Sequence, residues 1–276
     1  MRTRCGKSEA ARRSHVMERR LEGVRGVVLD LDGTVYEDRG LIPGAADAVT
    51  ALRSAGLGLR FATNTSRVPR GALVERLRSL GVDVGLDEVI TAPRAAAAWL
   101  VDHGLTRISL HVAAATVEEF TAFTIDERSP EAVVLGDLGD EWTVDRLDRV
   151  FRHVLGGARL LAVQKNRYWK RAGALCLDAG PFVAAIEYAT GVTAVVAGKP
   201  SAQFFGAAAR SLGLSAADLV VVGDDLRTDV VGARAAGARG VLVRTGKFRP
   251  ADLDDPDLQP ALVLDSIADL PACLGV

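Results

Sequence analysis

Short apolar runs alternate with amphipathic stretches along most of the chain. Five of these runs have the β-branched composition of buried strands: VVLDL (27–31), GLRFAT (58–63), DEVITA (87–92), LVVVG (219–223) and GVLVR (240–244). A sixth, TAVVA (193–197), continues the series, and helical stretches lie near 44–55, 70–81, 201–212 and 229–237. Apolar strands separated by helices are typical of a parallel sheet covered on both faces. The pattern therefore predicts an α/β fold built on a parallel sheet.

The middle third of the chain also contains strand candidates, and these lie around one predicted helix. Its strand candidates are RISLHV (107–112), AVVLG (132–136), ARLLAVQ (158–164) and ALCLD (174–178), with a helix near 141–155. We interpret residues 93–191 as an inserted α/β domain with its own small sheet, between two core segments at 23–92 and 192–276. The basic segment 1–22 has no apolar stretch of the secretory kind, and we expect it to be a disordered extension.

Composition and charge exclude several classes of protein. Of the 276 residues 49% are hydrophobic and 25% charged, and the net charge of −1 gives no basic field for nucleic acid or anionic lipid. The longest apolar stretch, AAAAWLV (95–101), is far shorter than the roughly 20 residues of a spanning helix. Three scattered cysteines favour reduced thiols in a cytoplasmic protein over a disulfide framework or a zinc site.

Polar residues follow the predicted strands at their carboxyl ends, where open parallel sheets bind ligands. They are Asp30, Asp32 and Gly33 after the first strand, Thr63 and Asn64 after the second, Lys199 after the 193–197 strand, and Asp224, Asp225 and Asp229 after the 219–223 strand. Each short motif alone is weak, since DG is most often a turn and a single lysine is most often a solvated charge. Their occurrence at four strand ends in this order favours a site.

This set of groups suits magnesium-assisted phosphoryl transfer. A carboxylate nucleophile and a phosphate repel each other, so a divalent cation must neutralise both, and magnesium prefers hard oxygen ligands. Of Asp30 and Asp32, one would attack phosphorus and the other would move protons to and from the leaving group and water. Thr63 and Lys199 would hold the equatorial phosphoryl oxygens.

The motifs DLDGTVY, TNTS, GKP and GDDLRTD, in that order, resemble the four motifs of the haloacid dehalogenase (HAD) superfamily. The resemblance implies a Rossmann-like core, with the insertion as the large α/β cap of one branch. It implies Asp30 as nucleophile and Asp32 as general acid and base. It further implies Mg²⁺ bound by Asp30, the Asp32 carbonyl and Asp224, with Asp225 and Asp229 in support, and phosphate bound by Thr63, the Asn64 amide and Lys199.

Two longer segments, 165–191 and 239–250, resemble the phospholysine phosphohistidine inorganic pyrophosphate phosphatase group and its HAD-like hydrolase domain-containing neighbours. This resemblance implies phosphoramide, pyrophosphate or small phosphomonoester substrates. Animal members of the group can carry serine where this chain has Asp32, which argues against transferring their unusual substrate range. Capped relatives often pair, so a homodimer is a further expectation.

The basic and aromatic stretch KNRYWKR (165–171) follows a strand of the insertion. Lys165, Asn166, Arg167 and Tyr168 are candidates for reading the leaving group, because the core motifs hold only the phosphoryl group. The alternative is a solvated hairpin with Trp169 tucked beneath it. Two further functions stay open: dehalogenation of a small haloacid by the same nucleophile, and a non-catalytic binding or regulatory protein on a HAD scaffold.

Overall fold

A computed structural model describes residues 21–171 and 174–276 of the chain. We predicted that residues 1–22 form a disordered extension, and residues 1–20 of it lie outside the described residues. The strands are β1 (Gly26–Asp30), β2 (Tyr36–Glu37), β3 (Gly40–Leu41), β4 (Gly58–Thr63), β5 (Val89–Thr91), β6 (Arg107–His111), β7 (Thr124–Ile125), β8 (Ala132–Leu135), β9 (Arg159–Ala162), β10 (Tyr168–Arg171), β11 (Ala174–Leu177), β12 (Val195–Val196), β13 (Leu219–Gly223), β14 (Arg239–Val243) and β15 (Leu262–Leu264).

The α-helices lie between these strands in chain order. They are α1 (Ala45–Ser54), α2 (Arg70–Ser79), α3 (Ala92–Asp102), α4 (Val144–Leu155), α5 (Ala179–Thr190), α6 (Ala202–Ser211), α7 (Gly232–Ala235) and α8 (Leu270–Leu274). A π-helical turn, Leu226–Val231, precedes α7, and short 3₁₀ turns join several elements. No helix of the described part combines the length and the apolar character that crossing a membrane requires.

The chain divides into two compact units. The first contains residues 21–62, Leu77–Asp83 and Phe205–Val276, and the second contains Thr63–Arg76 and Val84–Phe204.

The first unit is built on a parallel sheet whose strands lie in the order β15-β14-β13-β1-β4. Every residue of β1 and β13 is buried, as expected for apolar strands with both sheet faces covered. The register sets Leu29 opposite Val222, so β1 and β13 end at the same edge with Asp30 and Gly223. That edge carries the acidic residues discussed below.

The second unit has its own parallel sheet, in the order β12-β9-β8-β6-β7, and a separate antiparallel hairpin formed by β10 and β11. Its core packs α4 and α5 against this sheet through Val133, Leu135, Val150, Leu160 and Val183. The sequence predicted a sheet in the insertion, and three of its strands, β6, β8 and β9, fall where the apolar runs indicated, whereas the fourth run, 174–178, forms β11 of the hairpin.

Two sequence-based expectations about elements differ from the structure. Val195–Val196 pairs with β9 in the second unit's sheet, whereas the pattern grouped this run with the core strands. A two-residue strand carries too little pattern to indicate its partner, which long-range register decides. Residues 229–237 were expected to be one helix, but the chain forms the π-helical turn Leu226–Val231 before the short helix α7.

Candidate active site

Three buried carboxylates, Asp30, Asp224 and Asp229, lie together in the first unit. Each offers an oxygen within 4.8 Å of the others. Their exposed fractions are 7%, 1% and 1%. Asp30 closes β1 and Asp224 follows β13, so the parallel register of these neighbouring strands brings the two together. The strand-end argument from the sequence thus predicted this pair, and the structure adds Asp229 as an equal member.

The turn after β13 brings Asp229 to the other two acids. Asp225 caps this turn, because its Oδ1 accepts hydrogen bonds from the amides of Arg227 and Thr228 at 3.0 and 3.1 Å. The Asp225 amide in turn donates to Asp229 Oδ2 at 3.3 Å. Asp225 is only partly buried and acts on the turn, whereas Asp229 is fully buried. A π-helical turn of this kind is frequent at functional sites.

The carboxylate of Asp224 is held between two glycines with left-handed backbone, Gly33 (φ 87°) and Gly246 (φ 59°). A Cβ atom on either glycine would overlap Asp224 Oδ2. The same oxygen accepts a hydrogen bond from the backbone amide of Lys247 at 2.7 Å. Thr245 Oγ1 donates to the carbonyl of Gly33 at 2.5 Å, which ties the loop after β14 to the loop after β1.

The loop Thr245–Lys247 was only partly predicted: Lys247 was a candidate for the edge of the site with a surface loop as the equal alternative, and Thr245 and Gly246 were missing from the predicted residues. Its signal in the sequence is Thr245-Gly246-Lys247, which directly follows the last predicted apolar strand at its carboxyl end. Small polar residues at that position are ordinary in turns, so the sequence alone did not separate this loop from a surface turn.

The surroundings of Asp224 disfavour the charged form of its carboxylate. Burial, reinforced by the negative charges of Asp30 and Asp229, raises the pKa of Asp224 to about 7. Its Oδ1 is buried and has no hydrogen-bond partner. Buried acids that repel each other, one with an unsatisfied oxygen, need a compensating positive charge. Carboxylate oxygens are the ligands that Mg²⁺ prefers, so the residues present fit this cation.

Asp30 and Asp32 are in different environments although they are two residues apart. Asp30 is buried, whereas Asp32 is exposed to solvent. The side chain of Thr34 donates to Asp30 Oδ2 at 3.5 Å, and the amide of Gly33 donates to the carbonyl of Tyr36 at 2.7 Å. The chain therefore turns back at once after Leu31, with Gly33 at the turn, as the sequence predicted.

The second unit brings together the residues of the TNTS and GKP motifs. Asn64 Oδ1 accepts a hydrogen bond from the amide of Lys199 at 2.8 Å, and Asn64 Nδ2 donates to the Lys199 carbonyl at 2.9 Å. Thr63 is 3% exposed and its Oγ1 accepts from the amide of Thr65 at 3.0 Å, while Lys199 is 4% exposed. The sequence assigned the Asn64 amide to phosphate and did not anticipate that the side chain clamps the Lys199 backbone.

The four predicted substrate-reading residues lie at the start of the β10–β11 hairpin. Lys165 Nζ is bound to Glu187 Oε2 at 2.6 Å. Asn166 is held by its backbone, since its amide donates to Gln164 Oε1 at 2.5 Å and its carbonyl accepts from Gly180 at 2.9 Å. Arg167 is exposed, and Tyr168 is exposed by 56%. Their role toward a substrate stays a prediction.

Two regions of the chain match family models. Residues 27–125 match the haloacid dehalogenase-like hydrolase model, and residues 196–270 match a HAD-hydrolase-like model. Together these ranges cover more than half of the chain and contain all four motifs.

Curated relatives align with nearly the full described chain. The bovine (Bos taurus) haloacid dehalogenase-like hydrolase domain-containing protein 2 is 40% identical over 243 residues, which cover 88% of this chain and 93% of that protein. The human phospholysine phosphohistidine inorganic pyrophosphate phosphatase is 37% identical over 257 residues, covering 91% and 94%.

Among solved structures, the 4-nitrophenylphosphatase of Thermotoga maritima superposes with a TM-score of 0.85 at 30% identity, covering 94% of this chain and 99% of that one. These matches confirm the predicted α/β fold class with its parallel-sheet core. The chain therefore belongs to the haloacid dehalogenase-like hydrolases, and its relatives by sequence and by structure identify it as a phosphatase of that family.

Proposed function

We propose that this protein is a magnesium-dependent phosphatase that hydrolyses a small phosphorylated metabolite through an aspartyl-phosphate on Asp30. The observation that carries the proposal is the cluster of Asp30, Asp224 and Asp229, three buried carboxylates with one unsatisfied oxygen. A buried trio of acids destabilises the fold unless a cation offsets the charge. Family membership and phosphatases among the relatives support the same reaction class.

In the proposed reaction Asp30 attacks phosphorus, and the bond from phosphorus to the leaving oxygen breaks. Asp32 protonates that oxygen and then removes a proton from the water that attacks the phosphorus of the aspartyl-phosphate. Inorganic phosphate leaves, and the carboxylate of Asp30 is restored. The contrast between buried Asp30 and exposed Asp32 supports this division, since a proton carrier must exchange with solvent.

The residues that would hold Mg²⁺ are Asp30, the Asp32 carbonyl, Asp224 and Asp229, with Asp225 capping the turn that places Asp229. Bound there, the ion would neutralise the charges of carboxylate and phosphate that otherwise repel each other.

Thr63, the Asn64 backbone amide and Lys199 are proposed to bind the phosphoryl oxygens. The support is their motif positions together with the Asn64 clamp on the Lys199 backbone. A fixed backbone at Lys199 limits the positions its ammonium can take, which is how a preorganised cation stabilises charge in a transition state.

The substrate class is taken from the relatives and from the insertion. Phosphomonoesters, phosphoramides and pyrophosphate are the candidates, and residues 93–191 are proposed to act as a cap over a core of 23–92 and 192–276. Lys165, Asn166, Arg167 and Tyr168 are proposed to contact the leaving group. A cytoplasmic location and a homodimer stay predictions from the sequence.

The test is phosphate release from a panel containing p-nitrophenyl phosphate, inorganic pyrophosphate, phosphohistidine, phospholysine and sugar phosphates, with Mg²⁺ and with EDTA. The proposal expects turnover that EDTA abolishes and Mg²⁺ restores, and no turnover by Asp30→Asn. Chloride release from chloroacetate without metal would support the dehalogenase instead. Inactivity on every substrate, with no protection by beryllium fluoride, would favour a non-catalytic scaffold.

A further inference from the structure

Arg67 directly follows the TNTS motif, and its guanidinium is hydrogen-bonded to the buried carboxylate of Asp137. Its Nε donates to Asp137 Oδ2 at 2.5 Å and its Nη2 donates to Asp137 Oδ1 at 3.2 Å. The Asp137 side chain is 4% exposed and that of Arg67 is 32% exposed. Two parallel hydrogen bonds to one carboxylate fix the plane of a guanidinium as well as its position.

The loop that follows β8 is shaped to accept this arginine. The amide of Gly139 donates to Asp137 Oδ1 at 2.8 Å, the same oxygen that accepts from Arg67 Nη2, and so helps to hold the carboxylate in place. Gly139 has left-handed backbone (φ 53°), and a Cβ atom there would overlap Arg67 Nη2. Any other residue at 139 would displace the arginine.

The guanidinium also contacts the β10–β11 hairpin. Arg67 Cζ lies 5.1 Å from the centre of the Trp169 ring, within the range of a cation–π contact. Trp169 pairs with Cys176 across the hairpin, whereas the neighbouring pair, Tyr168 and Leu177, is exposed by 56% and 60%. Arg67 therefore contacts the less exposed face of the hairpin, and the opposite face is exposed to solvent.

The base of the hairpin is fixed separately. Gln164 donates to Asp178, and the amide of Asp178 donates to the Arg167 carbonyl at 3.3 Å. Asp178 also accepts from the amide of Ala179 at 2.7 Å, where α5 begins. These bonds hold the base of the hairpin. The orientation of its outer part therefore depends on contacts such as the one between Arg67 and Trp169.

From these contacts we propose that Arg67 is a positioning residue for substrate specificity. Held by Asp137, it fixes Trp169 and thereby sets the position of the β10–β11 hairpin relative to the TNTS segment. This inference rests on the proposed function, in which the hairpin contacts the leaving group. It predicts that Arg67 controls how well a bulky leaving group binds and leaves the chemical step on the phosphoryl group unchanged.

The test compares Arg67→Met with Arg70→Met on p-nitrophenyl phosphate, which has an aromatic leaving group, and on acetyl phosphate, which has a small one. Arg70 is the matched control because it forms an ion pair of similar burial, with Glu119 at 3.1 Å, in the same part of the chain. R67M is expected to raise KM for p-nitrophenyl phosphate by about five-fold or more, with kcat within about two-fold. KM for acetyl phosphate, and both constants of R70M, are expected to stay within about two-fold of wild type.

Two further variants separate positioning from folding. G139A keeps the charge of Arg67 but displaces the guanidinium, so it is expected to reproduce the KM change even if R67M fails to fold. W169L, which removes the aromatic ring, and the double variant R67M/W169L are expected to share one KM, because Arg67 acts through that ring. Additive effects of R67M and W169L, or equal effects of R67M and R70M, would overturn the inference.

Asp30→Asn is measured in parallel to keep the two proposals apart. If D30N is inactive while R67M and G139A match R70M, the positioning role is wrong and the proposed function stands. Undiminished phosphate release by D30N would overturn the proposed function, and the positioning role with it.

Discussion

The side-chain amide of Asn64 bridges the backbone of Lys199, accepting from its amide at 2.8 Å and donating to its carbonyl at 2.9 Å. The two residues are 135 positions apart and belong to different motifs. Both hydrogen bonds use one planar group, so the loop that carries Lys199 has little freedom to rotate against the TNTS segment.

Replacing Asn64 by alanine removes both hydrogen bonds and leaves the Lys199 backbone groups to find other partners. We expect kcat/KM for p-nitrophenyl phosphate to fall about ten- to hundred-fold, and the free energy of unfolding to fall by about 1–2 kcal/mol. Steady-state kinetics and urea unfolding check the two effects. Wild-type kcat/KM in N64A would show that the clamp has no part in activity.

The glycine cradle of Asp224 makes a prediction about metal affinity. Gly246→Ala puts a Cβ where the carboxylate of Asp224 lies, so we expect the Mg²⁺ concentration for half-maximal activity to rise about ten-fold or more. The matched control is Gly213→Ala, since Gly213 has similar left-handed backbone (φ 66°) with no atom close to an added Cβ. Both variants lose about 1–2 kcal/mol from backbone strain, and only G246A is expected to change the Mg²⁺ requirement.

The neighbouring acids Asp225 and Asp229 are expected to differ in function. Asp229→Asn removes a buried charge from the carboxylate cluster, so the Mg²⁺ requirement should rise about ten-fold or more without loss of stability. Asp225→Ala removes the cap of the turn and should lower the free energy of unfolding by about 1 kcal/mol. Isothermal titration with Mg²⁺ and thermal unfolding of the two variants separate these roles. The assignment is wrong if D225A weakens Mg²⁺ binding more than D229N does.

His111, in β6 of the second unit, gives a pH dependence of stability. Burial, aided by the positive charges of Arg146, Arg149 and His153, lowers the pKa of His111 to about 4. The unfolded chain, with an ordinary histidine pKa of about 6.5, binds more protons between these values, so the free energy of unfolding falls as the pH drops through this window. The free energy of unfolding has its full value, as far as His111 is concerned, above about pH 6.5. By pH 4 it has fallen by about 3 kcal/mol as an order of magnitude.

Urea unfolding of wild type and His111→Gln at several pH values between about 4 and 7.5 measures this contribution. The variant is expected to have a shallower dependence on pH below about 6.5, and a constant offset from wild type above it. Parallel pH profiles of the two proteins would mean that His111 does not take up protons on unfolding.

The local features of the fold could be predicted where a strand is long and mostly apolar. GLRFAT and LVVVG were placed with both ends correct, and Asp30 with Asp224 followed from the rule that ligands bind where parallel strands end. These features depend on the composition and on the pattern of apolar positions, both of which the sequence displays directly.

The features that escaped prediction depend on which distant segments meet. The clamp between Asn64 and Lys199, the contact of Gly246 with Asp224, and the pairing of Val195–Val196 with β9 join residues far apart in sequence. The start of helix α3 also escaped, because its alanine-rich sequence follows Thr91 directly and the strand was extended to residue 92. No local pattern distinguishes these partners from the alternatives, since tertiary packing selects among them.

The central claim is that Asp30 is the nucleophile beside a cation bound by Asp224 and Asp229. The most direct test is borohydride reduction during turnover of p-nitrophenyl phosphate with Mg²⁺, followed by peptide mass spectrometry. The account predicts conversion of Asp30 to homoserine, which requires Mg²⁺ and is lost in Asp224→Asn. Homoserine at another aspartate, or none under conditions of continued phosphate release, would contradict it.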